Sequence, residues 1–561
     1  MQAIQRLRCG SLREPRDCPI ARKQTPPSIH PFLLAALALL AAFALPACTQ
    51  RERTTSSTPA DVLRISQRNE PADLDPATAS LPDEFFIIRA LGEGLLVPSP
   101  DGGSPAPALA ERHDVSADGL VYTFHLRADL RWSNNEPLTA ADLVASFQRT
   151  LAPATAAPKA HLFFAVKNAR AFATGELADF TQVGFSAPDA RTVVITLAQP
   201  TPHFLRYVAS GTWIPINPRV VAAHGRAWTD PAHHVGNGPF VLAEWRPQQH
   251  IAVKKNPLYR DTARVRLSEI RFIRFDNGDA EERAFRAGQI DVTMAVPTAK
   301  LAAYARERPA ELHRAPLAET RFLTFNTRRP PLDDPRVRRA LAQAIDRPAI
   351  VDRVLLGGQE PAQRFLGPAL RGNTAVPLSS EFRHQPEEAR QLLTAAGFPN
   401  GKNFPRLELT AWSPSQLPVL EAVQAMWRQS LGIEVALSIQ EAKVHLAALA
   451  TGAYDIAFVT TILDVADPIA VLRDFTRDAP NNFPHWHSDA FDRLVAEAAH
   501  QPSESAQAPL LARAETLLLD AAPVAPLYFN TQNWLMAPRV RGWQQDALWN
   551  RTYDHLTLDE N

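Results

Sequence analysis

Few patterns in this 561-residue chain could carry covalent, phosphate or metal chemistry. Gly397-Phe-Pro-Asn-Gly401-Lys402 has the outline of a loop whose backbone N–H groups cradle a phosphate. It is one residue short, however, and lacks the Ser or Thr that should follow the lysine. Ala389, Leu392, Leu393 and Ala396 precede it at helical spacing, so Gly397 is expected to close a helix. Gly92-Glu-Gly94 lacks the third glycine of a dinucleotide fingerprint and reads as a turn. His233-His234 and His485-Trp486-His487 bring imidazoles together without a Cys or carboxylate at ligand spacing. Surface or packing histidines are the expectation, and no metal or other cofactor is assigned. Neither G-x-S-x-G nor H-E-x-x-H occurs, and no catalytic residue is assigned.

Thiol chemistry is confined to the first fifty residues. Phe32 to Leu45 is an unbroken apolar run behind Arg22 and Lys23, too short for a helix across a ~30 Å hydrocarbon core but the right length for a signal peptide. It ends in Leu45-Pro46-Ala47-Cys48, which resembles a bacterial lipobox. Residues 1–47 are therefore expected to be a lipoprotein signal peptide, Cys48 the lipidated residue and membrane anchor, and 48–60 a polar tether. The expected location is the periplasm or cell envelope. Cys9 and Cys18 would leave with the signal, so the body can form no disulfide, cysteine zinc site or thiol nucleophile. Lys+Arg 59 balances Asp+Glu 59, which argues against a nucleic-acid partner.

The elements that must position any site are legible as alternating periods. Tyr122, Phe124 and Leu126 alternate with polar residues as a half-buried strand, and Thr139 with Asp142 opens a helix carrying Val144 and Phe147 on one face. Asp334-Pro335 starts another helix, with Val337, Ala340, Leu341 and Ala344 at i, i+3, i+4, i+7. Val419, Ala422, Val423 and Met426 repeat that spacing up to Gly432, and Ile433 to Ile439 alternates as a strand. The class is α/β, in two or more lobes.

Several segments in order resemble the solute-binding proteins of peptide-type ABC importers: "RNEPADLDPATA" from Arg68, "ALAERHDVSADGLVYTFHLRADLRWSNNEPLTAADLVASFQR" from Ala108, "VGNGPFVLAEW" from Val235, "FNTRRPPLDDPRVRRALAQAIDR" and "EEARQLLTAAGF". The resemblance implies a two-lobe periplasmic-binding-protein (Venus-flytrap) fold with a domain inserted in the first lobe. Lobe I would comprise 61–84, 209–295 and 528–561, the accessory domain 85–208, and lobe II 296–527, with crossing strands near Met294 and Tyr528 as hinge. It implies a monomeric receptor, not an enzyme, that passes short peptides to a membrane permease and its ATPase subunits. The same fold also carries metal complexes, haem, opines and sugars, and a chaperone or hydrolase is a further alternative.

The resemblance also implies a site. In peptide-binding members a carboxylate within D-x-x-D-P pairs with the ligand's α-ammonium; here that stretch is Asp464-Val-Ala-Asp467-Pro468. Asp464 is the expected anchor and Asp467 the better helix cap. The backbone of Thr460 and Ile462 would hold the ligand's main chain like an added strand. Positions that are arginine, histidine and tryptophan in the family fall on Phe458, Gln416 and Ala442, so no charged anchor for a ligand carboxylate is visible. Glu70 matches a cleft acid, Asn237 and Gly238 lie in the hinge-proximal segment, and Lys159, near a pocket tyrosine position of the family, is expected to be solvated, with the ligand's carboxylate as its alternative partner.

Overall fold

The computed structural model describes residues 61–99, 103–371 and 382–559; Cys48, the signal peptide and the tether lie outside them. The strand Val121–Leu126 alternates buried and half-buried side chains as its sequence predicts. In the helix Ala140–Leu151 the Thr139 N–H donates to the Asp142 carboxylate at 3.0 Å, closing the first turn. Gly432, at φ +70°, ends the helix Leu417–Leu431, and the strand Val435–Ile439 follows. Gly397, at φ +99°, lies just past the helix Pro386–Ala395, so the apparent phosphate loop is a helix terminus. His233 stacks on His224 and His234 on Trp228, as packing histidines do.

Three sheets organise the chain. A four-stranded sheet runs Val62–Gln67, Glu269–Arg274, His250–Lys255, Phe240–Arg246, its first pair parallel and the rest antiparallel. A second, antiparallel sheet joins Ala110–Val115, Val121–Leu126, Thr192–Thr196 and Phe185–Asp189. The six-stranded sheet is ordered Glu360–Pro361, Val524–Leu535, Leu312–Phe325, Ile456–Thr460, Leu407–Ala411, Val435–Ile439. Each sheet has its own apolar core. The core of the inserted domain runs from Leu95 to Trp213, whereas Ile87, Ile88, Ala90 and Leu91 pack with the first sheet. A boundary after residue 84 therefore cuts the helix Pro82–Leu91, which belongs with the first lobe.

Two long strands link the lobes. Leu312–Phe325 and Val524–Leu535 pair antiparallel from Leu312↔Leu535 to Thr324↔Val524, with the register shifting between Pro316 and Thr320. At one end they lie in the six-stranded sheet. At the other, Leu535 N–H donates to Thr293 Oγ1 at 2.8 Å and Val292 bridges both Ile65 and Met536. Arg338 and Arg347, from the arginine-rich motif, fix the start of the second strand. Arg338 donates to the carbonyls of Ala521 and Ala522, and Arg347 Nε to that of Pro526 at 2.6 Å.

A buried ionic knot ties the first lobe. Asp291 accepts from Arg64 Nε at 3.0 Å, Arg64 NH2 at 2.9 Å, the Arg64 backbone N–H at 2.9 Å and Arg539 Nε at 3.0 Å. Burial alone would raise its carboxyl, but the hydrogen bonds and charges of the two arginines outweigh this and hold it below its ordinary value. An acid depressed in the fold adds stability above its unfolded pKa, near 3.9, and loses it as pH falls through the folded value. Wild type should therefore weaken steadily below about pH 5 in denaturant titrations. Asp291→Asn should cost about 2–3 kcal/mol at pH 7 and flatten that acid limb. Equal slopes in the two proteins would exclude Asp291 as a source of it.

Candidate ligand site

The strand Ile456–Thr460 is apolar and buried as far as Val459 because both faces of its sheet are covered, and Thr460 is half-buried. One edge pairs with the central strand from Phe325↔Ile456 to Arg321↔Thr460. The other pairs with Leu407–Ala411 only at Ile456 and Ala457. From Phe458 onward that edge carries no further strand among the described residues. Thr461 continues the first edge, its N–H donating to the Thr320 carbonyl at 3.1 Å while its Oγ1 accepts from Thr320 N–H at 2.8 Å. Ile462 then stands 79% exposed, a large apolar side chain with nothing over it.

Past Leu463, the four residues Asp464 to Asp467 are each gripped by the inserted domain. Asp464 Oδ1 pairs with Lys159 Nζ, and its Oδ2 lies 3.8 Å from His161 Nε2. Val465 is buried in the inserted domain's core cluster. The Ala466 carbonyl accepts from Arg206 at 2.9 Å, and Asp467 Oδ2 accepts from the Tyr207 hydroxyl at 2.8 Å. Burial first, then the charge of Asp467, pushes the Tyr207 hydroxyl well above its usual pKa, so it remains a donor. Asp467 Oδ1 also accepts from Ile469 N–H at 2.8 Å, capping the helix Pro468–Arg473. Asp467 is thus the cap and Asp464 is free of that duty. Lys159 is not solvated: its side chain is 13% exposed, and its partner is the expected anchor itself.

Beside this loop, within the second lobe, a cavity of about 340 Å³ opens under Thr460, Thr461 and Ile462. Phe322, Trp412, Leu449, Val471, Phe475 and Phe483 supply most of its wall. Phe458, at the position that is arginine in the family, is buried in the core with its ring 6.0 Å from that of the lining residue Trp412. Ala442 lines the cavity, leaving room where a larger side chain would fill it. His445, 1% exposed, sits in the wall 5.5 Å from the Trp412 ring. Sequence reasoning missed His445. Its signal was the helix Ala442–Thr451, in which the imidazole faces inward while Val444 and Leu446 face out.

The remaining expected residues have structural partners. Glu70 accepts from Trp245 Nε1 at 2.7 Å and from Gln248 N–H at 3.1 Å, on the hairpin of the first sheet. Asn237 exchanges hydrogen bonds with the backbone of Glu93, at 3.1 and 2.9 Å. Gly238 N–H donates to the Leu91 carbonyl at 2.9 Å, and a Cβ there would meet Gly92 N at 2.4 Å. Asn237 and Gly238 thus fasten the end of the helix Pro82–Leu91. Gln416 Oε1 accepts from Trp412 N–H at 3.2 Å and orients the turn that carries Trp412. Only Thr460, Ile462 and Asp464 of the expected set lie at the cavity or on its adjoining loop, with Phe458 buried in the core beside Trp412.

The profile described as bacterial extracellular solute-binding proteins, family 5 Middle, matches residues 104–483. The probable deoxycholate-binding periplasmic protein YgiS of Escherichia coli is 32% identical over 87% of this chain and 92% of its own. The periplasmic murein peptide-binding protein MppA of the same organism is 32% identical over 86% and 91%. The unliganded open form of MppA superposes with a TM-score of 0.76 at 30% identity, covering 89% of this chain and 98% of that one.

Proposed function

The chain belongs to the bacterial extracellular solute-binding proteins, family 5, and on that premise we propose that it is the receptor of an ABC importer, capturing short peptides between two lobes and handing them to the permease. The observation that carries this reading is the strand edge from Phe458 to Thr460, which pairs with no strand among the described residues and can bind an extended main chain whatever its side chains. Thr460 and Ile462 are its backbone contacts. Asp464 takes the ligand's ammonium on Oδ2, and Lys159 holds Oδ1. The lobes divide as the sequence suggests, with the inserted domain taken from Leu95 to Trp213, where its core begins and ends. The chain's role is binding, not catalysis.

Closure should be measurable. Gently purified protein is expected to release short peptides on denaturation, identified by mass spectrometry. Refolded, peptide-free protein should lose radius of gyration in small-angle scattering when saturated with trialanine. Binding proven by calorimetry with an unchanged scattering profile would rule out the two-lobe trap.

Anchoring through Cys48 is part of the same proposal, supported by the lipobox-like Leu45-Pro46-Ala47-Cys48. Cys48→Ser is expected to move the protein from the membrane fraction to the soluble one and to abolish labelling by a radioactive fatty acid. Retained label would place the acyl group elsewhere.

A second reading is favoured by one observation: the cavity wall is largely apolar, with Phe322, Trp412, Leu449, Val471, Phe475 and Phe483, which suits a fused ring system. One relative is named as probably deoxycholate-binding. Deoxycholate binding with no detectable peptide would favour it.

A further inference from the structure

The wall of the cavity contains one polar group that the protein leaves unused. Both ring nitrogens of His445 are buried and neither has a hydrogen-bond partner. Burial lowers its pKa and outweighs the opposite influence of the Phe458 backbone, which lies short of hydrogen-bond geometry, so the ring is neutral. A neutral imidazole has one donor and one acceptor nitrogen, and leaving both unpaired in an apolar wall is costly. The orientation of its helix sharpens the point. Leu446 is exposed at the rim and Val444 beyond it, so an ordinary amphipathic helix would have turned the histidine outward. About 340 Å³ lies at the small end of ligand pockets, enough for one large side chain and not for a peptide.

We propose that this cavity is a specificity pocket for one aromatic ligand side chain carrying a polar atom, tryptophan or tyrosine, with His445 hydrogen-bonding the indole N–H or phenol O–H. The pocket rests on the peptide-receptor reading and adds a side-chain preference to it. The walls suit a ring: Trp412 and Phe475 offer aromatic faces and edges, and Leu449 is apolar. The competing charge is Asp474, which also lines the cavity. It already accepts from Asn481 at 3.2 Å, and burial pushes its carboxyl above the usual range, so it is a poor lure for a cation.

Calorimetry with tetra-alanine and its single-tryptophan, -tyrosine, -phenylalanine and -lysine variants at each position tests this. At one position tryptophan should bind at least about tenfold tighter than alanine, and tyrosine about fivefold tighter than phenylalanine. His445→Leu should erase the tyrosine–phenylalanine difference. Leu446→Trp, at the exposed rim and so compatible with folding, should plug the pocket and return the tryptophan peptide to the tetra-alanine level. Equal affinities throughout, a lysine optimum, or phenylalanine matching tyrosine in the wild type would overturn the pocket while leaving the receptor. Titration with indole separates the two claims. If no peptide binds but indole does, and Leu446→Trp abolishes it, the receptor reading falls and the pocket stands. If neither binds, both fall.

Discussion

Replacing Lys159 by methionine is expected to raise the preference for a free-amino peptide over its N-acetylated form by about tenfold, or ~1.4 kcal/mol. The proposed anchor, Asp464, is a single carboxylate that Lys159 already neutralises on one oxygen. A ligand ammonium therefore meets an ion pair rather than a bare charge, and removing the internal cation leaves the full charge to the ligand. The acetylated peptide serves as control, because any change in closure caused by losing the contact affects both ligands alike. Asp464→Asn should act in the opposite sense, weakening the free peptide by about 2 kcal/mol, or roughly thirtyfold. It should also lower stability, since Lys159 would be left partly buried without its counter-ion. Acetylation and Asp464→Asn should not add, because both break the same pair. If calorimetry gives one ratio of free to acetylated affinity in wild type, Lys159→Met and Asp464→Asn, then Asp464 serves only to hold the inserted domain to the second lobe.

Arg347→Met should destabilise the chain by about 3–5 kcal/mol without changing which ligands it prefers. The guanidinium is fully buried, with no carboxylate beside it among the described residues. It donates to the carbonyls of Pro526 at 2.6 Å, Ala342 at 3.1 Å and Ile345 at 3.2 Å, and lies 5.5 Å from the Phe382 ring. Desolvation lowers its pKa to about 9, the mark of a charge held by dipoles alone. Removing it takes a donor from the Pro526 carbonyl, where the strand Val524–Leu535 enters the sheet, and from the Ala342 and Ile345 carbonyls at the end of the helix Pro335–Gln343. Arg347→Lys should recover only part of the loss, because a point ammonium cannot span three diverging acceptors. Denaturant unfolding monitored by tryptophan fluorescence gives both numbers. A cost under 1 kcal/mol for the methionine variant would mean that the three bonds contribute little.

Local periodicity was enough for the elements. The alternation of Tyr122, Phe124 and Leu126, the Thr139–Asp142 opening and the Gly432 terminus are each set by neighbours within a few residues, and all three stand in the structure. Asp467 as helix cap was legible for the same reason, since a cap needs only the residues that follow it. The two-lobe class was legible through ordered motifs spread along the chain. The partners of the site were not. Lys159 and Asp464 are 305 positions apart, and their meeting depends on how the inserted domain lies against the second lobe. Glu70, Asn237 and Gly238 occupy matching positions in sequence, yet their hydrogen bonds go to a hairpin and a helix end that no local pattern reveals. Which face of the helix Ala442–Thr451 is buried could not be read from its composition, because apolar residues occur all round it. Packing against Trp412 turned His445 inward and left Leu446 in solvent. Sequence fixes what lies within a turn or a hairpin; a cleft is made by contacts hundreds of residues apart, and the tertiary structure alone decides which charges there are already spent.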